Sequence, residues 1–480
     1  MDDLLSGLLD VTRRSNQPLT RELANQLRSL IADGRLRPGQ RLPSGRMMAR
    51  SLGISRNSVS QAIEQLAAEG YLSVTRSRRP VVVEGVSLVT GQQSLSRVQT
   101  RSPRFRLSPW ARQLPRTLWP PIYNGRPRAF QPGLADEREF PHAIWGRCLR
   151  HASANALRRR NRAHNDPDLQ EVLLKHLADV RGIRARPEQI IIVPSAQSGI
   201  ALISKVMIDA GDLAWIESPG YRGAFAALQA ANAEVVGVPV DADGLRITGR
   251  RDVPRIIFVT PSHQYPTGRL MPVGRRLELL QFARRNGAVI VEDDYDGEFQ
   301  YEGRPVTALA GLDPYDRIIY LGTFSKAMFA DIRVGYLVVP ETLAPTFALA
   351  QRHLGSLVAV PLQAALAYFI AAGDYRSHVR RMTRLYRARR DRLVQALTAE
   401  AGHRLHVDKP TGGMQLLAQC DAAMDDVHLS RRLEKAGVIT RPLSEMLYHK
   451  SRERGLFLGF AAWKDTEIDA GARIIGRHVH

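Results

Sequence analysis

Cysteine is almost missing from this 480-residue chain, which holds only Cys148 and Cys420. That scarcity excludes a disulfide scaffold, points to a reducing compartment, and leaves no ligand spacing for a metal. Long apolar runs are missing too: none approaches the ~20 residues that a membrane-spanning helix needs. The opening Met1-Asp2-Asp3 is acidic where a secretory leader is basic and then apolar, so a cytoplasmic protein free of the membrane is expected. Acid is in short supply, with 47 Asp+Glu against 68 Lys+Arg and a formal charge of +21. An excess of that size attracts polyanions, nucleic acid first. Lysine is rare within it: Lys175, Lys205, Lys326, Lys409, Lys435, Lys450 and Lys464 are the only seven. A GC-rich genome explains an arginine bias as well as function does, so the bias alone decides little. The rest is ordinary, since 44% hydrophobic and 24% charged residues describe a globular chain. Its length exceeds one hydrophobic core, and two or three domains are expected.

Three textures divide it. Residues 1–83 read as short helices and a terminal hairpin. Residues 84–128 lose periodicity: Ser, Pro, Gln and Arg dominate, and no acid occurs between Glu84 and Asp136. Arg97, Arg101, Arg104, Arg106, Arg112, Arg116, Arg126 and Arg128 fall there, which makes a basic linker, either a solvated tether or a direct contact to DNA. From 129 to 480, apolar strands alternate with helical segments, the pattern of an α/β domain with a mostly parallel sheet. The expected strands are Ile190–Val193, Leu213–Ile216, Val235–Val238, Ile256–Val259, Ala288–Val291, Ile318–Leu321 and Gly335–Val339.

In the first region, Leu19, Leu23, Leu27, Leu30 and Ile31 recur at helical spacing, and Gly34 stops that helix. Ser44 opens a second helix that runs to Gly53, and Ser55 opens a third, bearing Val59, Ile63 and Leu66 and closed by Gly70. Tyr71 to Val83 alternates as a two-stranded wing does. Two short helices across a Gly-containing turn make a helix-turn-helix, whose second helix offers Arg56 and Asn57 to base edges. A small protein-binding helical domain is the competing reading. Leu42-Pro43-Ser44, Leu52-Gly53-Ile54-Ser55-Arg56-Asn57-Ser58-Val59 and Leu66-Ala67-Ala68-Glu69-Gly70-Tyr71-Leu72 resemble the GntR family of winged-helix repressors. The resemblance implies that Arg46 and Arg56 contact DNA and that Ser60 occupies a further contact position. The family's wing tip is glycine-rich, whereas Ser77-Arg78-Arg79-Pro80 stands here, so Arg78 and Arg79 are expected on phosphates at the end of a stiffer wing.

In the third region, Lys326 directly follows an expected strand, in Gly322-Thr323-Phe324-Ser325-Lys326, where open α/β sheets place their ligands. A buried, crowded lysine becomes a usable amine nucleophile. Arg333, one loop on, suits a phosphate. Glu292-Asp293-Asp294-Tyr295-Asp296 ends another strand; its acids need partners, a pyridinium nitrogen being one and a metal the competitor. Pro194-Ser195-Ala196-Gln197-Ser198-Gly199 joins strand to helix, where backbone N–H groups cradle a phosphate or small residues merely suit a tight turn. Tyr221, in Glu217-Ser218-Pro219-Gly220-Tyr221, either stacks on a planar ring or is an ordinary half-buried tyrosine. With Thr260-Pro261-Ser262-His263-Gln264-Tyr265-Pro266-Thr267-Gly268, these resemble the fold-type I aminotransferases that use pyridoxal 5′-phosphate. The resemblance implies a mostly parallel central sheet with a smaller C-terminal subdomain. It makes Lys326 the Schiff-base lysine and Asp293 the partner of the pyridine nitrogen. Tyr295 bonds the phenolic oxygen and Tyr221 stacks on the ring. Ser195, Ala196, Gln197, Thr323, Ser325 and Arg333 line the phosphate side.

A GntR reader ahead of an aminotransferase domain resembles the MocR/GabR-type transcriptional regulators, which implies a homodimer on an operator in double-stranded DNA, sensing a small amine, an amino acid or the cofactor itself. Two departures from true aminotransferases weigh against ordinary transamination. Tyr265 replaces the asparagine before Pro-Thr-Gly, and Phe457, before Leu458-Gly459-Phe460, stands where an arginine grips the substrate carboxylate. Arg454 and Arg441 are the fallback candidates for that grip. The alternatives are an active aminotransferase with an accessory DNA-binding domain, and a DNA-binding scaffold whose cofactor fold is dead.

Overall fold

The computed structural model describes residues 9, 18–75, 78–84, 106–114, 128–156, 168–247, 252–303 and 307–479. Most of the basic stretch 84–128, with Arg97, Arg101, Arg104, Arg116 and Arg126, lies outside the described residues, as does Ser77 at the wing tip. The chain divides into two compact units, Met1–Arg106 and Leu107–His480.

Three helices and a wing build the first unit: α1 (Leu19–Ala32), α2 (Gly45–Leu52), α3 (Arg56–Ala68), β1 (Leu72–Ser73) and β2 (Val81–Val82). Ser44 caps α2 by accepting from Met47 N at 3.4 Å, and Gly53 ends that helix in the left-handed region. The apolar stripes of α1 and α3 meet at Leu23, Leu27, Leu30, Val59, Ile63 and Leu66, and Leu72 and Val82 bring the wing onto the same core. The wing strands pair antiparallel, Leu72 opposite Val82.

In the second unit, Ser108 caps the short α4 (Pro109–Gln113), and α5 (His142–Ala156) and α6 (Leu169–Arg181) precede the sheet. Strands and helices then alternate: β3 (Ile190–Val193), α7 (Ala196–Met207), β4 (Leu213–Ser218), α8 (Arg222–Ala230), β5 (Glu234–Asp241), β6 (Gly244–Leu245), β7 (Ile256–Val259), α9 (Val273–Asn286), β8 (Val289–Asp293), α10 (Leu309–Leu312), β9 (Ile318–Thr323) and β10 (Gly335–Val338). The sheet order is β3-β10-β9-β8-β7-β4-β5-β6; the inner strands are parallel, and β10 runs antiparallel to both neighbours. Alternate residues feed opposite faces, as a sheet covered on both sides requires. Ile216, Phe258 and Val291 pack with Ile200 and Ile203 of α7, while Trp215, Ile257 and Ile290 pack with Leu279 and Ala283 of α9.

Beyond α11 (Ala344–His353) and α12 (Val360–Ala371), the long α13 (Asp374–Ala401) leads into a smaller antiparallel sheet. That sheet comprises β11 (Leu405–Val407), β12 (Gln415–Cys420), β13 (Arg441–Pro442) and β14 (Arg454–Gly459) in the order β11-β12-β14-β13, with α14 (Asp426–Lys435) against it and α15 (Asp465–His478) packed on α13 and α14. The antiparallel β10 decides the geometry of the site. Because it reverses between β3 and β9, the residues just before it arrive at the same sheet edge as the residues just after its two neighbours. Gly335 faces both Val193 and Thr323. A Cβ at Gly335 would meet Gly322 O at 3.0 Å and Ala196 N at 3.2 Å, so the three backbones close in only around glycine.

Candidate functional site

Each unit carries its own set of expected site residues. In the first, Ser55 accepts from Ser58 N at 3.0 Å and so starts α3 with Arg56 and Asn57 in an exposed first turn, Ser60 following. Arg46 on the first turn of α2, and Arg78 and Arg79 between the wing strands, are exposed as well. None of these six side chains makes a hydrogen bond or ion pair among the described residues. Arg28 is the contrast: Glu69 holds it bidentately at 2.6 and 3.0 Å, and it lies 5.7 Å over the Tyr71 ring. Arg28 is tied down within the unit, whereas the exposed Arg46, Arg56, Arg78 and Arg79 stand open to solvent, where an outside anion could reach them.

In the second unit, Ser195, Ala196, Gln197, Tyr221, Asp293, Tyr295, Thr323, Ser325, Lys326 and Arg333 all line one cavity of about 670 Å³. Its anion side follows from the sheet edge. Ser195 caps α7 by accepting from Ser198 N at 3.1 Å, leaving the first-turn N–H groups of Ala196 and Gln197 without helical partners. Thr323 and Ser325 enter from the end of β9, and Arg333 from ahead of β10, with φ +51° and no side-chain partner among the described residues. Tyr221 donates to Gln197 Oε1 at 3.2 Å and meets Tyr265 edge-on at 5.6 Å. Tyr295 meets the other side of Tyr265 at 5.9 Å.

The acidic run at the end of β8 sorts itself by partner. Glu292 accepts from Leu309 N and Ala310 N at 2.8 and 2.7 Å, capping α10. Asp294 pairs with Arg181 of α6 at 2.5 Å and accepts from Tyr320 at 2.6 Å. Asp296 pairs with His263 at 2.8 Å and accepts from Met414 N at 3.1 Å. Asp293 alone makes no side-chain hydrogen bond or ion pair among the described residues; its Oδ1 is buried without a partner, as is Asp294 Oδ1, whose other oxygen is engaged. Burial, with Asp294 and Asp296 nearby, pushes its carboxyl up to about 8. The Lys326 amine donates to Gly133 O at 2.7 Å, and burial reinforced by the Arg441 guanidinium pushes it down to about 8.

Phe457 is buried and lies outside the cavity wall, packed on Tyr265 at 5.0 Å with Leu417, Leu443 and Met446 around it. Arg454 is not in the wall either; its guanidinium donates to Glu453 O at 2.8 Å. Arg441 does line the cavity. Gln131, Pro132, Gly133, Thr260 and Gln415 complete the wall near Lys326 and are absent from the sequence-based set. The Pro132-Gly133 turn pair and the Thr260 to Gly268 motif are the visible signals for three of them; Gln131 and Gln415 have none.

Residues 136–475 match the family model for aminotransferase class I and II, and residues 19–83 match that for bacterial regulatory proteins of the gntR family. The chain is 38% identical over 464 residues to the probable rhizopine catabolism regulatory protein MocR of Rhizobium meliloti, covering 95% of this chain and 92% of that one. It is 33% identical to the HTH-type transcriptional regulator TauR of Rhodobacter capsulatus, over 95% and 96% of the two chains. It is also 33% identical, over 93% of both chains, to the HTH-type pyridoxine biosynthesis transcriptional regulator PdxR of Corynebacterium glutamicum. The solved kynurenine aminotransferase of Pyrococcus horikoshii superposes with a TM-score of 0.68 at 24% identity, over 78% of this chain and 95% of that one, a likeness of fold. Fold and matches define a GntR-type helix-turn-helix regulator that carries an aminotransferase class I and II domain. Within that class, the chain belongs to the MocR/GabR-type transcriptional regulators.

That fold implies pyridoxal 5′-phosphate, and the cavity suits it. An unpaired buried carboxyl oxygen fits a pyridinium N–H, a helix N-terminus beside a free arginine fits a phosphate, and a lysine poised near neutrality fits an aldehyde.

Proposed function

We propose that this regulator holds pyridoxal 5′-phosphate in the 670 Å³ cavity and uses it to sense a small amine or amino acid, changing its hold on an operator as a homodimer. The observation that carries the reading is the Asp293 carboxyl, the one acid of the run that has neither a side-chain hydrogen bond nor an ion pair among the described residues. When bound, the cofactor supplies an electrophilic carbon and an electron sink. Asp293 would hold the ring nitrogen, Tyr295 the phenolic oxygen and Tyr221 the ring face. Ser195, Ala196, Gln197, Thr323, Ser325 and Arg333 would hold the phosphate. Lys326, with its amine near 8, supplies a neutral nucleophile in part at physiological pH. An amine that takes its place changes the charge and position of that side chain, and this is enough for a sensor if one domain arrangement is favoured in consequence. Arg46, Arg56, Asn57 and Ser60 would face the groove, with Arg78 and Arg79 on phosphates.

The test is spectroscopic and functional together. The full chain loaded with pyridoxal phosphate should be yellow, and Lys326→Ala should lose the colour while keeping the fold by circular dichroism. A screen of amino acids, ω-amino acids and sulfonated amines should find one that shifts the absorbance and the operator footprint at the same concentration, with negligible keto-acid release. Folded wild type that takes up no cofactor would sink the reading. Keto-acid release at ~1 s⁻¹ or faster, without effect on DNA, would make the protein an aminotransferase.

A further inference from the structure

The smaller sheet carries at its edge a guanidinium that forms no ion pair among the described residues, although Glu445 of the same cavity wall feels its charge. Arg441 opens the edge strand β13 and stands in register opposite Phe457 on β14. Directly opposed residues of an antiparallel pair send their side chains to the same face. Phe457 is spent on packing against Tyr265, whereas Arg441 reaches the cavity wall. Its only side-chain hydrogen bond among the described residues is a long one, 3.5 Å to the Tyr265 hydroxyl, and it forms no ion pair there. Its charge is nevertheless felt at Lys326, so the guanidinium and the reactive amine share one space. Arg333, proposed above for the phosphate, lines the same cavity, so Arg441 is not needed for that group.

We propose that Arg441 grips an acidic group on the sensed amine, so that the effector is an amine bearing a carboxylate or sulfonate rather than a neutral amine. This rests on the sensing role proposed above. In aminotransferase terms the anion-binding cation has moved one strand toward the sheet edge, a lateral step of ~4.8 Å. The fork of a guanidinium is matched to either acid by two parallel N–H···O bonds.

The experiment uses the full-length, cofactor-loaded protein and matched pairs of probes that differ only in the acid: β-alanine, taurine and L-alanine against ethylamine, glycine against methylamine, and 4-aminobutanoate against propylamine. Absorbance gives the half-saturating concentration for each. Wild type should prefer the acid-bearing member of at least one pair by ~10-fold or more, and Arg441→Gln should bring that ratio to about one while loading cofactor as wild type does. Arg441→Lys, which keeps the charge without the fork, should restore part of the preference. Equal saturation within every pair, no response to any probe up to its solubility limit, or a preference that survives Arg441→Gln would each overturn the proposal. Failure of wild type to load cofactor would instead overturn the sensing role beneath it.

Discussion

Among single residues, the informative ones are those that the fold leaves incomplete. Four acids between Glu292 and Asp296 are visible as a cluster in the sequence. Which one is available is not, because the partners of the other three, Arg181, His263 and the start of α10, are supplied by remote segments. Glu217 is incomplete in another way. Its Oε2 accepts from Thr260 N, Thr260 Oγ1 and Gln264 Nε2, but its Oε1 is buried without a partner among the described residues. Burial pushes its carboxyl up to about 7, against the pull of those donors. In the unfolded chain the group ionises near 4.5, so the folded state binds more protons between there and 7. Stability therefore falls as pH rises through that window and stays lowered above it. Glu217→Gln removes the proton-linked loss, which is of order 2–3 kcal/mol. The orphaned amide of glutamine costs the same at every pH, so the slope is the test. Thermal unfolding without cofactor should show the variant gaining on wild type between pH 5 and 7.5; parallel curves would mean that Glu217 ionises normally in the fold.

Secondary-structure elements differ in how legible they are. Ile190–Val193 and Ile256–Val259 begin and end where their apolar runs do, because strands buried on both faces are uninterrupted. β9 and β8 run on to Thr323 and Asp293, past the apolar run, since hydrogen bonding continues to the sheet edge where polar residues meet the cavity. The smaller sheet is nearly invisible: β13 has two residues and β11 three, too few for any period to show. That is why Arg441 could be only a fallback for Phe457 until the register was seen. In the first unit, caps made the helices readable, and α3 and the wing predict losses of different kinds. Arg56→Ala should cost ~1–3 kcal/mol on the specific site and relax discrimination. Replacing Arg78 and Arg79 with alanine should weaken all sequences alike and flatten the salt dependence. Titrations of specific and scrambled duplexes at two salt concentrations separate the two; equal effects would mean that helix or wing has been misplaced on the DNA.

For the molecule as a whole, a charge of +21 and two compact units divide the labour between attracting DNA and holding a small ligand. In the second unit, the carbonyl of Gly133 is tied directly to the Lys326 amine. The stretch from Arg128 to Gly133 is laced to the smaller sheet, with Ile439 N donating to Ala129 O and Gly459 N to Phe130 O, and its far end accepts from Lys326. A free lysine amine can serve that carbonyl, while a nitrogen committed to a covalent partner gives up hydrogens. Residues 128–133 would then act as a register of valence, in which the bonding state of one nitrogen is written into a backbone carbonyl. Amide hydrogen exchange should change in this segment when cofactor is loaded and change back when an amine displaces Lys326, before any difference is seen on DNA. Exchange indifferent to loading would leave Gly133 as a mere wall of the cavity.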